Sequence, residues 1–152
     1  MERLQRIEVN KVRGCVLKYN KHGLLKTVHA YRTNEQGKLV LLDQPLASYE
    51  YDEQSNLVAA TNQFAEQERY EYNAANLLIK RTRASGFSHH FEWDSYGYDA
   101  KCIKQWGDDN TYCYQFEYQG NKTTSRDSRG NQEQFVHNEQ GKLIEHTDAN
   151  GN

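Results

Sequence analysis

The phrase YEYDEQSNL, Tyr49 to Leu57, returns as YEYNAANLL, Tyr70 to Leu78, so that the second tyrosines of the two copies lie 21 residues apart. A phrase written twice at a fixed offset calls for one structural unit built more than once, and it narrows the fold before any other property does. Further, looser copies follow once the second ring of each phrase is taken as an anchor. LKYNKHGLL surrounds Tyr19, YRTNEQGKL surrounds Thr33, FEWDSYGYD surrounds Trp93, FEYQGNKTT surrounds Tyr118 and FVHNEQGKL surrounds His137. The shared pattern is Φ-x-Ω-(D/N)-x-x-G-x-L. Seven imperfect copies cover almost the whole chain, roughly 20 residues apart.

Each part of the pattern has a local physical meaning. Two rings two positions apart point to one face of a strand. The Asp or Asn that follows, with Gly three residues later, supplies the polar opener and the left-handed position of a tight turn. Asn20, Asp52, Asn73, Asp94 and Asn138 open such turns; Gly23, Gly37, Gly97 and Gly141 take the later position, with Asn76 as a substitute. The residues after the turn, Leu57 to Ala60, Leu77 to Arg81 and Leu143 to His146, return as a second strand. Each copy is therefore a β-hairpin. The phrases RDSRGN, with Gly130, and TDANGN are turns that join hairpin to hairpin, and WGDDNTY is a turn between two aromatic strands.

An isolated hairpin is marginal in water, whereas hairpins paired edge to edge support one another. The expected fold is all-β: antiparallel hairpin repeats over residues 1 to 152, forming a single sheet wound by its own twist. Composition fits this. Leu, Ile, Val and Phe make up only about 18% of the 152 residues, but eleven tyrosines and two tryptophans add apolar surface with a polar tip. The expected aromatic ladder is Tyr19, Tyr49, Tyr51, Tyr70, Tyr72, Phe91, Trp93, Phe116, Tyr118 and Phe135, with turns set by Gly23, Gly37, Gly97, Gly130 and Gly141.

The net charge of −2 gives no electrostatic reason to expect nucleic acid, and no apolar run approaches the ~20 residues of a membrane span. The N-terminal MERLQRIEVNKVRG lacks the apolar core of a secretory signal peptide. Cytoplasmic synthesis is expected, with any export following another route. Cys15, Cys102 and Cys113 are odd in number and form no CxxC, so they read as free thiols.

Chemistry-bearing residues are sparse. His89 and His90 with Cys102 and Cys113 could be imagined as a metal site, but strand neighbours face opposite ways. Asp108 and Asp109, with Glu92 and Asp94 on a nearby repeat, are paired carboxylates of the glycosidase kind; turn aspartates more often bind local backbone. No catalytic, cofactor or metal residue is expected. An aromatic row could also stack on sugar rings, so a carbohydrate- or protein-binding module is the alternative reading.

YEYDEQSNL and YEYNAANLL resemble the YD repeats of the Rhs (rearrangement hot spot) family. The run FEWDSYGYDAKCIKQWGDDNTYCYQFEY, Phe91 to Tyr118, is similar to a more specific Rhs segment in which a WD pair leads to a Cys, a WGDD turn and alternating aromatics. The resemblance spans roughly residues 4 to 152 and implies a segment of a hollow β-shell that encloses and carries a C-terminal toxin. It implies type VI secretion and interbacterial competition, and as partners the remaining shell repeats, the cargo, an immunity protein and a secretion spike. The chain is too short for a closed shell, so a slice of a longer one is expected, with open sheet edges prone to self-association. No toxin domain and no PAAR-like region is visible, and neither DSRG at Asp127 nor DANG at Asp148 has the proline of the family's self-cleavage motif.

Overall fold

A computed structural model describes residues 3–10 and 12–152. The chain is all-β and antiparallel throughout, with one short 3-10 turn. It divides into two compact units, Met1–Tyr70 and Glu71–Asn152. In the first, β1 (Arg6–Asn10), β2 (Arg13–Tyr19), β3 (Leu25–Thr33), β5 (Ala47–Tyr51), β6 (Leu57–Asn62) and β7 (Gln67–Tyr72, whose last two residues belong to the second unit) follow one another in space as in sequence. The short β4 (Leu39–Leu41) pairs with β3 outside that path. The second unit continues with β8 (Leu78–Thr82), β9 (Ser88–Trp93), β10 (Cys102–Gly107), the 3-10 turn Asp108–Asn110, β11 (Tyr114–Gln119), β12 (Lys122–Asp127), β13 (Gln132–His137) and β14 (Leu143–Thr147).

The strands are short and regular because one turn recurs. Among the described residues it forms nine times, opening at Asn20, Asn34, Asp52, Asn62, Asn73, Arg83, Asp127, Asn138 and Asp148. In each, the opening N–H donates to the carbonyl four residues on, and the N–H three residues on donates back to the opening carbonyl. The residue three after the opener is always left-handed: Gly23, Gly37, Ser55, Ala65, Asn76, Gly86, Gly130, Gly141 and Gly151. In eight of the nine, all but the turn at Arg83, an Asx side chain completes the turn. Asn20 Oδ1, for example, accepts from the N–H of His22 at 3.0 Å and of Leu24 at 2.9 Å. A bulge sits at the strand end before several turns, as where Tyr51 faces Leu57 and Tyr19 faces Leu25. A left-handed residue closing a tight hairpin produces this geometry.

The openers at 52, 62, 73 and 83 alternate steps of ten and eleven residues, as do those at 127, 138 and 148. The true period is thus one strand and one turn, half of the hairpin repeat visible in the sequence. Both sheet margins use the same device. Ser55 and Ala65 hold φ of 71° and 61° where glycine would be at ease. A non-glycine residue there costs roughly 1 kcal/mol, so Ala65→Gly is expected to raise stability by about that much, measured as the urea midpoint. An unchanged midpoint would mean the turn relaxes freely.

There is almost no interior. Among the described residues the only buried apolar side chains are Tyr31, 5% exposed, and Ala59, 3% exposed. Tyr31 lies over Gly14, its cross-strand partner, where an added Cβ would stand 2.8 Å from the ring. In the second unit the Phe87 ring likewise lies against Gly107, whose cross-strand partner is His89. Stability therefore rests on ladder hydrogen bonds, turns and cross-strand pairs rather than on a packed centre.

Candidate functional surface

The ten aromatic positions anticipated from the pattern all lie in strands and all are half-buried. Tyr49 stands opposite Ala60, and the Tyr70 hydroxyl donates to Glu68 at 2.8 Å. Phe91 faces Gln105, Phe116 faces Ser125, and Phe135 stacks on His146 with centroids 4.7 Å apart. Tyr72 ends β7. Between the rings, Glu50, Glu71, Glu92 and Glu117 are exposed, as alternation along a strand requires. Glu71 pairs with Lys80 at 3.2 Å, and Glu92 lies opposite Lys104.

The anchor rings do something that periodicity does not reveal. The Tyr51 hydroxyl donates to the Leu25 carbonyl at 2.8 Å, Trp93 Nε1–H to the Leu78 carbonyl at 2.8 Å, and the Tyr118 hydroxyl to the Cys102 carbonyl at 2.7 Å. Leu25, Leu78 and Cys102 are the first residues of β3, β8 and β10. In each case the acceptor starts the returning strand of the preceding hairpin. Tyr19 reaches back in the same way to the Leu4 carbonyl at 2.6 Å. Tyr19, Tyr51, Trp93 and Tyr118 thus each clasp what precedes them. This accounts for a preference in the sequence: five of the seven anchors are Tyr or Trp, which carry a donor, whereas the ring two residues earlier is Phe as often as Tyr. Burial, and then the neighbouring Tyr49, raises the Tyr51 hydroxyl above its ordinary pKa; burial is also the main cause at Tyr118. Both stay protonated as donors. His137 works otherwise, through main-chain and amide bonds with Asn121 at 2.9 Å.

Four of the five anticipated turn glycines, Gly23, Gly37, Gly130 and Gly141, occupy left-handed turn positions. Gly97 lies instead in a longer loop closed by Asp94 and Lys101, at ordinary φ, beside the Asp99 carboxylate. The aspartate-opened turns carry an acid-labile element. The Asp52 and Asp127 carboxyls are held below the usual range chiefly by the side-chain amides of Asn56 and Asn131, and Asp148 chiefly by the Asn152 N–H. A carboxyl with a depressed folded pKa favours the fold above its unfolded pKa, and loses that contribution as pH falls through the folded value. The melting temperature is therefore expected to drop below about pH 4. The triple Asp→Asn variant at 52, 127 and 148 should show a shallower acid limb, since Asn opens five of the other turns. An equally steep limb would place the acid sensitivity elsewhere.

The reactive residue types are spread out or engaged. His89 and His90 point to different surroundings, His89 edge-on to Phe87 and His90 stacked on Trp106 at 5.4 Å. Asp108 accepts from the Ser88 N–H at 2.7 Å and lies 3.3 Å from His90 Nε2, which ties the 3-10 turn to β9 and holds the carboxyl below its usual range. Asp109 is exposed. All three cysteines are free thiols, and burial raises Cys102, which favours its protonated form over a nucleophilic thiolate. Among the described residues no three His, Cys, Asp or Glu side chains gather as a metal site, and no helix is long and apolar enough to cross a membrane.

The outer strands are open. All five residues of β1 and four of the five in β14 are exposed, with Ile7, Val9, Leu143 and Ile144 among them.

No protein-family model matches the sequence. No curated protein matches it. Among solved structures, the fold is similar to that of a chain in the Tc holotoxin pore of Photorhabdus luminescens, solved with a substitution in its TccC3 component. The TM-score is 0.51 at 13% identity, over 94% of this chain. The match covers 10% of that longer chain, so the present chain spans about a tenth of its length.

Proposed function

We propose that this chain is a wall segment of an Rhs-type β-shell that encloses and carries a toxin, and that it acts by steric means rather than by catalysis. The observation that carries this reading is the row of clasps. Tyr51, Trp93 and Tyr118 each fix their hairpin to the one before through the carbonyl that starts its returning strand, which is the wiring of a wall extended by repetition. The sequence resemblance to YD repeats and the fold-level likeness to a chain of a Tc holotoxin support it. In this reading the open edges of β1 and β14 continue into further shell repeats, and the partners are those repeats and the cargo. Assembly takes place in the cytoplasm of the producer, and export follows a type VI route serving competition between bacteria.

The test is co-expression of the chain with the reading frames flanking its gene, followed by limited proteolysis. A small neighbour that co-purifies and survives protease is the expected result. A soluble, folded chain with no bound neighbour would overturn the shell reading. It would favour a module that binds glycans or proteins, for which Tyr96 and Tyr98, 79% and 104% exposed in the loop between β9 and β10, provide contact surface.

A further inference from the structure

The outer side of β1 has no partner strand among the described residues. Which backbone groups it offers there follows from its pairing with β2. The Leu17 N–H donates to the Gln5 carbonyl at 2.9 Å, and the register continues in step to Ile7 opposite Cys15. Residues of an antiparallel ladder alternate, so Gln5 and Ile7 turn their N–H and C=O toward β2. The Ile7 carbonyl oxygen is accordingly the atom that a Cβ on Gly14 would meet. The N–H and C=O of Arg6 and Glu8 therefore point out from the open edge, where such groups are a template for another strand.

The side chains select which strand. Arg6, Ile7 and Glu8 are all exposed. Arg6 and Glu8 share one face and pair with each other at 2.8 Å. Ile7 lies on the other face, continuing the cross-strand row of Cys15 and Ala30. A second copy of β1 laid antiparallel along this edge can bring outward groups onto outward groups in three registers centred on this stretch. Centred on Arg6, the pairing sets Arg6 on Arg6; centred on Glu8, it sets Glu8 on Glu8. Like charges directly opposite are destabilising. Centred on Ile7, it sets Arg6 of each copy against Glu8 of the other, four charges alternating in sign around Ile7 on Ile7. The run Arg6-Ile7-Glu8 is thus its own complement in one register and repels itself in the other two. A bulge after Glu8 ends the regular edge, so the pairing stays local.

We propose that β1 is an isologous interface with a second copy of this chain, the two strands pairing antiparallel about a two-fold axis at Ile7 and joining two sheets into one. This deepens the wall reading and rests on it, since it names a second copy as what continues the wall at β1; the pairing itself is measured apart from any cargo.

The test is sedimentation equilibrium of the full chain over a concentration series, read beside amide hydrogen exchange. A reversible monomer–dimer equilibrium is expected, with a dissociation constant on the order of 100 µM, as suits an interface below about 1,000 Å². The Arg6 and Glu8 amides should gain protection in proportion to the dimer fraction, and the Ile7 amide, already turned to β2, should not. Arg6→Glu and Glu8→Arg should each weaken self-pairing at least about tenfold, because each turns two opposite-charge pairs into like-charge ones. The two side chains are 52% and 54% exposed, so both variants should fold. Mixed in equal amounts, the variants should pair with each other as tightly as the parent pairs with itself, since every charged cross-strand pair is then of opposite sign. A parent chain still monomeric at about ten times the expected constant would overturn the proposal. So would an unchanged constant in either single variant, or a mixture no tighter than its components, and these two results would move any association to another edge. Parental dimers without a protected cargo would leave the pairing standing and remove the wall reading; a cargo held by a chain that stays monomeric would do the reverse.

Discussion

Trp93→Ala is expected to destabilise the second unit by about 3 kcal/mol, the lower end of the range for large aromatic truncations, since the ring is half-buried. Two losses combine. The indole surface goes, and the Leu78 carbonyl at the start of β8 loses its donor. Trp93→Phe separates them: it keeps most of the surface and removes only the N–H, and should cost about 1 kcal/mol. Hydrogen exchange of the β8 and β9 amides, with the chemical denaturation midpoint, reads both variants. Equal stability of Trp93→Phe and the parent protein would show that the clasp bond is idle and that the ring acts by surface alone.

Gly14→Val is expected to cost the first unit about 3 kcal/mol, the upper end of ordinary overpacking. An added Cβ would meet the Ile7 carbonyl oxygen on β1 and the Tyr31 ring on β3. Neither neighbour can yield cheaply. Moving the carbonyl breaks the β1–β2 ladder, and moving the ring uncovers one of the two buried apolar side chains among the described residues. Loss of exchange protection in β1 and β2 should accompany the drop. A variant with parental stability would mean that β1 is already loosely held.

The sequence carried the fold well where the repeating phrase is intact. The strands beginning at Leu57 and Leu143 start at the anticipated residue, and the one anticipated at Leu77 starts at Leu78. What hid the shorter period is chemical substitution. The turn at Asn62 has Ala65 in the left-handed position, and that at Arg83 lacks an Asx opener, so neither reads as a copy although both make the same backbone bonds. Gly97 looked like a turn glycine by its offset from Asp94, but the loop there runs on to Lys101. The clasps were half legible. The preference for Tyr or Trp at the anchor was in the letters, yet its meaning required knowing which carbonyl lay within reach.

The recurring turn also bears on how the chain reaches its structure. Within each unit nearly every strand pairs with its neighbours in sequence, so contact order is low for a β protein. Each new strand can add to a template already formed and pay loop closure over only a few residues. Such a chain can fold as it leaves the ribosome, and can be unravelled from one end without first disrupting the other.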